Sequence, residues 1–303
     1  MTSTTRPQPT AISIQKPQRQ VALAHHLAVG DIVVTTLLDA SMQGSLAILN
    51  NIDESDAQQL FAASRRTEPR IALNTFLVNL DGRLILIDTG IGIFAGESGS
   101  YMRQALDDIG VAPEAIDTVL LTHLHADHVG GLIDADDHAT FPNATIMAPA
   151  RELEFWTGDD ADSLPEPRQK HVQAARRALA PYAGRVEALD EGEGDVLPGI
   201  ALVSLPGHTP GHCGYMIKSR DEQLLIWGDI VHLPTIQLPR PHTGIMFDVD
   251  PDRAQKTRLD LLAQVARDGT QIAGMHLDFP AVGHITNDGE GYRFLPISWQ
   301  PSV

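Results

Sequence analysis

Short apolar runs recur along the chain, separated by polar or glycine-containing stretches, and this pattern predicts buried strands. Residues 31–38 are rich in β-branched side chains and form the first predicted strand. The runs 71–80 and 83–88 flank Asp81 and Gly82, a pair typical of a hairpin turn. A second hairpin is predicted from 214–218 and 223–227, and further strands from 118–122, 144–148, 185–189, 200–205, 271–275 and 292–295.

Helices are predicted where apolar residues recur at helical spacing or where good helix formers cluster. The clearest case is 252–267, in which Leu259, Leu262 and Val265 fall on one side. Other predicted helices cover 54–63, 101–109, 152–156 and 168–179, and residues 41–51 are expected to be a loop. Residues 1–20 are rich in Thr, Pro and Gln and are expected to be a disordered tail, which leaves 21–303 as one domain.

The strand at 118–122 is followed at once by a cluster of metal-capable side chains. His123, His125, Asp127 and His128 lie within six residues. In an extended segment His123 and His125 point the same way. Imidazole is the commonest neutral metal ligand, and carboxylate is its usual companion at hydrolytic sites. This cluster is therefore the strongest functional signal in the sequence.

Three more predicted strands end in ligand-type residues. His208 follows 200–205 in a loop shaped by prolines and glycines, and it is favoured over His212 because it is nearer the strand end. Asp229 follows the second hairpin, and His276 follows 271–275, with His284 as its competitor. These residues give seven ligands, enough for two divalent ions that share one carboxylate. Zinc is expected, with Mn, Co or Fe open. Asp88, which ends the first hairpin, is expected to orient a ligand histidine.

Charge and composition exclude several other functions. With 39 acidic and 22 basic residues the formal net charge is −17, which argues against nucleic acid or an anionic membrane as a partner. No apolar stretch approaches a membrane span, and a cytoplasmic location is expected. Cys213 is the only cysteine, so an intrachain disulfide is impossible. The glycines of 89–96 lack the spacing of a dinucleotide loop, and no serine-hydrolase elbow, P-loop or thiolate site is found.

The ligand set, in this order along the chain, resembles the metallo-β-lactamase superfamily. The resemblance implies an α/β fold, an αβ/βα sandwich of two mixed β-sheets flanked by helices, with a dinuclear site at one sheet edge. It also implies one metal on His123, His125 and His208, a second on Asp127, His128 and His276, and Asp229 as the bridge.

Within the superfamily, 228–232 and 274–284 are similar to the branch of methyl parathion hydrolase, dihydrocoumarin-type lactonases and quorum-quenching lactonases. Acyl-homoserine lactonases of this branch commonly carry a tyrosine three residues after the bridging aspartate. His232 occupies that position here, which favours the parathion-hydrolase and aryl-ester members. The best-known class B β-lactamases have a cysteine near the position of Asp229. Glyoxalase II shares the loop around His208 but ends in a helical, basic domain.

The resulting expectation is a hydrolase in which a metal-bridging hydroxide attacks a lactone, an aryl ester or a neutral phosphotriester such as methyl parathion. Asp127 is expected to accept a proton and His232 to contact the substrate. An acyl-homoserine lactonase, a glyoxalase II-like thioesterase and a non-catalytic lactone-binding metal protein remain alternatives. The partner is a small molecule, with a homodimer possible. Candidate pocket walls, chosen because their loops flank the ligands, are Leu46, Phe94, Phe155, Trp156, Met246 and Phe247.

Overall fold

The computed structural model describes residue 20 and residues 23–190, 192 and 194–303, so the predicted tail lies, apart from Gln20, outside the described residues. In chain order the strands are β1 Ala24–Val29, β2 Ile32–Gln43, β3 Leu49–Asn50, β4 Arg70–Leu80, β5 Arg83–Ile87, β6 Ile116–Leu120, β7 Thr145–Pro149, β8 Val186–Leu189, β9 Asp195–Leu197, β10 Ile200–Ser204, β11 Cys213–Ser219, β12 Glu222–Ile226, β13 Gly244–Ile245, β14 Gln271–Ala273, β15 Val282–Asp288 and β16 Gly291–Pro296. The α-helices are α1 Glu54–Ala63, α2 Met102–Asp108, α3 Ala126–Val129, α4 Ala150–Thr157, α5 Glu166–Leu179, α6 Pro234–Gln237 and α7 Pro251–Asp268.

Two seven-stranded sheets organise the molecule. The first has the order β1-β2-β4-β5-β6-β7-β8, antiparallel up to β5 and parallel from β5 to β8. The second has the order β16-β15-β14-β12-β11-β10-β9, and its β12–β14 pair is parallel. Both sheets are therefore mixed, as the resemblance implied. A small third sheet pairs β3 with β13.

Alternation along the strands explains why the two sheets stack. Ile85 and Ile87 of β5 belong to a core that also contains Tyr215 and Ile217 of the second sheet. Leu86, between them in sequence, belongs to a second core with residues of α2, α4 and α5. Since successive side chains of a strand face opposite sides, the first core lies between the sheets and the second lies under the helices. The fold is the predicted αβ/βα sandwich.

Several elements differ from the sequence predictions at their ends. β2 continues to Gln43 because its backbone pairs with β4 as far as Arg70, past a register shift after Leu38. The expected loop at 41–51 therefore contains the end of β2, a one-turn 3-10 helix at Leu46–Ile48 and β3. β1 and β15 were not predicted, because backbone pairing rather than an apolar run places them in their sheets. Among the described residues no helix is long and apolar enough to cross a membrane.

Candidate metal centre

The four ligand-bearing segments meet at one edge of the two sheets. Backbone hydrogen bonds join the loops: the Cys213 N–H donates to the Thr122 carbonyl at 3.0 Å, which ties the segment after β6 to the start of β11. The Trp227 N–H donates to the Ala273 carbonyl at 3.0 Å, which aligns the ends of β12 and β14. The histidines of both sheets are thereby brought into one cluster with Asp229.

The first group consists of His123, His125 and His208, together with Asp229. The Nε2 atoms of His123 and His208 lie 3.1 and 3.0 Å from Nδ1 of His125. Nitrogens bound about 2.05 Å from a tetrahedral zinc ion are separated by about 3.3 Å. The three rings are therefore spaced as a tetrahedral ligand set requires, and all three are buried.

The second group consists of Asp127, His128 and His276. The Nε2 atoms of His128 and His276 lie 3.7 and 3.8 Å from Oδ2 of Asp127. Asp127 is the most exposed member, with 28% of its side chain accessible. This group thus has one oxygen ligand that faces the solvent and two buried imidazoles.

Asp229 lies between the two groups. Its Oδ2 is 3.3 Å from Nε2 of His208 and 3.1 Å from Nε2 of His276, while its Oδ1 is 3.3 Å from Nε2 of His128. Oδ1 and the His128 Nε2 are both buried, and neither has a hydrogen-bond partner within the part of the chain that the structure describes. Buried polar atoms normally have a partner. Two orphaned ligand atoms that face each other are what a metal site requires, so the donor set fits a pair of divalent ions.

The charge of Asp229 is stabilised by its neighbours. Burial alone would raise the pKa of this carboxyl, but the histidines around it, His128 and His276 foremost, hold the pKa well below its ordinary value. Burial likewise acts to lower the pKa of His208, yet hydrogen bonds with Asp229 and Asp248 outweigh it and raise the pKa to about 9. The ionised Asp229 therefore lies beside His128, His208 and His276, whose pKa values are raised, whereas burial lowers the pKa values of His123 and His125.

Further contacts fix the orientation of the ligand rings. Oδ2 of Asp88 lies 2.7 Å from Nδ1 of His128, and Oδ1 of Asp248 lies 2.9 Å from Nδ1 of His208. His276 makes its outer contact with the Ala72 carbonyl at 2.9 Å. Partners of this kind set which nitrogen of a ring faces the metal. Asp88, which the sequence analysis expected to orient a ligand histidine, contacts His128. Asp248 was not predicted.

A buried carboxylate, Glu152 of α4, joins the two histidine loops. It accepts the Leu124 N–H at 3.2 Å and the Gly211 N–H at 2.7 Å, and its third donor is the Trp156 indole at 2.9 Å. Leu124 lies between His123 and His125, and Gly211 lies in the loop of His208. Burial raises the pKa of the Glu152 carboxyl, and these backbone hydrogen bonds oppose that shift.

The competing histidines lie outside the ligand set. His212 is buried; its Nδ1 contacts the Leu205 carbonyl at 2.7 Å, and its Nε2 accepts the Asp229 N–H at 2.8 Å. Burial lowers the pKa of His212 to about 3, so the ring is neutral and supports the loop of Asp229. His284 is exposed on β15, and its Nδ1 contacts the Gly269 carbonyl at 3.2 Å.

A cavity of about 860 Å³ opens beside the metal-ligand cluster. The residues proposed from sequence that line it are His125, Asp127, His208 and Asp229 of the ligand set, His232, Phe94 and Phe247. His232 stacks on His276 with ring centroids 4.7 Å apart, and its Nε2 lies 3.1 Å from Oδ2 of Asp229. Apolar walls that the sequence analysis did not propose are Met42, Ile48, Ile71, Leu73 and Ile91.

Four predicted wall residues are not among those that line the cavity. Trp156 is fully buried behind His125, in the core under α4, and Phe155 packs beside it. Leu46 is half-buried on the 3-10 helix whose last residue, Ile48, faces the cavity instead. Met246 is 60% exposed, and its neighbour Phe247 lines the cavity instead. The segments of Leu46 and Met246 contribute Ile48 and Phe247 to the cavity lining, whereas no residue of α4 lines it. The side of the backbone on which each side chain lies was not predictable from the sequence.

The comparisons with known proteins agree with this geometry. A model of the metallo-beta-lactamase superfamily matches residues 70–276, more than half of the chain, so the chain belongs to this superfamily. The crystal structure of AbOPH, described as a hydrolase in the beta lactamase superfamily, is 36% identical, with a TM-score of 0.87 over 93% of this chain and 100% of that one. AidC, described as a dizinc quorum-quenching lactonase, is 26% identical, with a TM-score of 0.84 over 92% of this chain and 100% of its own.

Similarity to curated proteins is weaker and partial. The probable metallo-hydrolase YybB of Bacillus subtilis is 32% identical over 181 residues, which make up 60% of this chain and 72% of YybB. Against YobT of the same organism, an uncharacterised protein, the chain spans 56% of the relative's length at 29% identity. These matches define the superfamily and leave the substrate to be inferred from the site.

Proposed function

We propose that this protein is a hydrolase of neutral lactones and esters that uses two divalent metal ions, zinc first among them. The observation that supports this most directly is the position of Asp229, whose two oxygens contact histidines of both ligand groups. A carboxylate shared in this way is the usual bridge of a dinuclear site. When bound, the two ions supply Lewis acidity and lower the pKa of a water molecule enough for it to act at neutral pH.

The residues of the chain have separate roles in this proposal. His123, His125 and His208 would hold one ion, and Asp127, His128 and His276 would hold the other, with Asp229 between the two groups. Asp127 also reaches the cavity, where its carboxylate is placed to accept a proton from the attacking water. His232 lies at the cavity wall beside Asp229 and contacts the bound substrate.

The cavity supports neutral, partly apolar substrates. The lining includes the apolar residues Ile48, Ile71, Leu73, Ile91 and Phe94, and the last four of these belong to one hydrophobic cluster. Apolar walls with a few polar groups bind and orient a small organic molecule. Lactones, aryl esters and phosphotriesters all satisfy this description, and the similarity to AidC favours a lactone first, including the acyl-homoserine type.

The proposal is tested by measuring metal content and turnover on the same preparation. Metal analysis is paired with initial rates on an aromatic δ-lactone, an acyl-homoserine lactone and a dimethyl aryl phosphotriester. We expect two metals per chain and hydrolysis of at least one lactone, lost on chelation and restored by zinc. Two metals without turnover of any of the three substrates would contradict the proposal and favour a thioesterase or a metal protein that binds without catalysis.

A further inference from the structure

The cavity has a polar feature that the metal centre does not use. One face of α5 lines the side of the cavity next to His125, through Lys170, His171, Gln173, Ala174 and Arg177. Lys170 lies over the Phe247 ring and Arg177 over the Phe94 ring, and Arg177 is also paired with Asp137. His171 is the member of this face that lies closest to the ligand cluster.

The ring of His171 is held in place by other aromatic rings. Its centroid is 4.3 Å from that of His125 and 5.8 Å from that of Trp156. These contacts restrict its rotation without using its nitrogens. His171 is therefore a fixed polar group on the cavity wall, and its ring is held by packing against other rings.

Neither nitrogen of His171 has a hydrogen-bond partner among the described residues. Nδ1 is buried and unpaired, whereas Nε2 is not among the buried unpaired atoms, so Nε2 is the accessible nitrogen of this half-buried ring at the cavity. His232 also has a buried, unpaired Nδ1, but its Nε2 contacts Asp229, and the ligand rings point into the cluster. A substrate that covers Nε2 of His171 displaces its water contact and loses free energy unless it supplies a hydrogen bond in return.

We propose that His171 is a specificity-determining residue that hydrogen-bonds, through Nε2, a polar group of the substrate other than the reacting carbonyl. This group differs from the reacting carbonyl because of where His171 lies. His171 lines the cavity beside His125, on α5, whereas the reacting group must lie at Asp229 and Asp127. This inference rests on the proposed hydrolase function and adds a requirement to it. Preferred substrates carry a second carbonyl or similar acceptor or donor beside the scissile bond.

The test uses a matched pair of γ-lactones that differ in one group. An N-acyl homoserine lactone carries an amide beside the ring, and the 2-alkyl γ-butyrolactone of equal chain length lacks it. The variant His171→Phe keeps the ring packing and removes both nitrogens. His171→Leu also removes both nitrogens but replaces the ring by a smaller aliphatic side chain, and His171→Gln restores a polar atom near the position of Nε2. His138→Phe, at an exposed position away from the cavity, is the control for the substitution itself.

With two metals retained, we expect His171→Phe and His171→Leu to lower kcat/KM for the amide lactone about tenfold to a hundredfold. The amide-free lactone should stay within about twofold of the wild-type value, because it never makes the hydrogen bond. His171→Gln should recover part of the preference. His138→Phe should behave as wild type on both lactones.

Equal losses on the two lactones, or loss of metal from both apolar variants, would show that His171 only supports the fold and would overturn the inference. No loss on either lactone would overturn it as well. A wild-type enzyme that hydrolyses the phosphotriester but neither lactone would overturn this inference and leave the hydrolase proposal standing. Failure on both γ-lactones, the aromatic δ-lactone and the phosphotriester with metals bound would refute the proposed function itself, and the inference with it.

Discussion

Oδ1 of Asp248 lies 2.9 Å from Nδ1 of His208, and the same carboxylate accepts the Ile245 N–H at 3.2 Å through Oδ2. Oδ2 of Asp88 likewise lies 2.7 Å from Nδ1 of His128, and the Asp88 carboxylate accepts hydrogen bonds from the N–H and the hydroxyl of Thr122. Each of the two ligand groups thus contains one histidine supported by a buried carboxylate. The two supported histidines follow strands of opposite sheets, His128 after β6 and His208 after β10.

This symmetry predicts that the two carboxylates control different ions. Asp248→Ala should weaken binding of the ion held by His208, and Asp88→Ala that of the ion held by His128, each about tenfold to a hundredfold. Competition with a chelator, followed by metal analysis, measures both affinities. Asp260→Ala, which removes an exposed carboxylate on α7, should change neither. Unchanged affinities in both variants would show that these contacts do not orient the ligands.

Removing the shared carboxylate should have a larger effect than removing either support. Asp229→Ala leaves both ligand groups without their common oxygen ligands, so metal content should fall below two per chain and hydrolysis by more than about a hundredfold. His284→Ala is the matched control, because His284 is exposed on β15 and outside the ligand set. An Asp229→Ala protein with two tightly bound ions and full activity would refute the bridging assignment.

Glu152 offers a test of how the two histidine loops are held together. Glu152→Gln keeps the size of the side chain but turns one acceptor oxygen into an NH2 group that faces N–H donors. We expect a loss of about 3 kcal/mol in the free energy of unfolding, measured by denaturant titration of the metal-free protein. Glu154→Gln, an exposed change on the same helix, should cost less than about 0.5 kcal/mol. Similar stabilities of the two variants would mean that the buried carboxylate does not hold the loops.

The convergence of the proposed ligands was predictable because each follows the end of an apolar strand, and strand ends converge at a sheet edge. His123, His208, Asp229 and His276 all carry this local signal. Asp88, which follows β5, carries it as well, whereas the supporting residues Asp248 and Glu152 do not. Glu152 and Glu154 lie in the same turn of α4, and only the distant loops packed against the helix make one buried and the other exposed.

The cavity walls show the same limit. Trp156 and Phe94 lie in segments that flank the ligands, yet only Phe94 faces the cavity, because α4 packs its tryptophan against the first sheet. His171 was missed since a single histidine in a charged helix has no distinguishing pattern. Which side chains point into the cavity is decided by packing between α5 and the ligand loops, and that information is not local in sequence.

A substitution of Gly228, directly before Asp229, tests whether the backbone position of Asp229 depends on its hydrogen bond with His212. Its φ is +61°, and a Cβ there would lie 2.3 Å from Nε2 of His212. Gly289 has the same φ of +61° with open space around it, so Gly289→Ala measures the backbone strain alone, about 1 kcal/mol. Gly228→Ala adds displacement of His212 and loss of its hydrogen bond with Asp229, for about 3 kcal/mol or more in total, and should also weaken metal binding. Thermal unfolding and chelator competition on both variants measure the difference. If the two glycines prove equivalent in both measurements, His212 does not position Asp229.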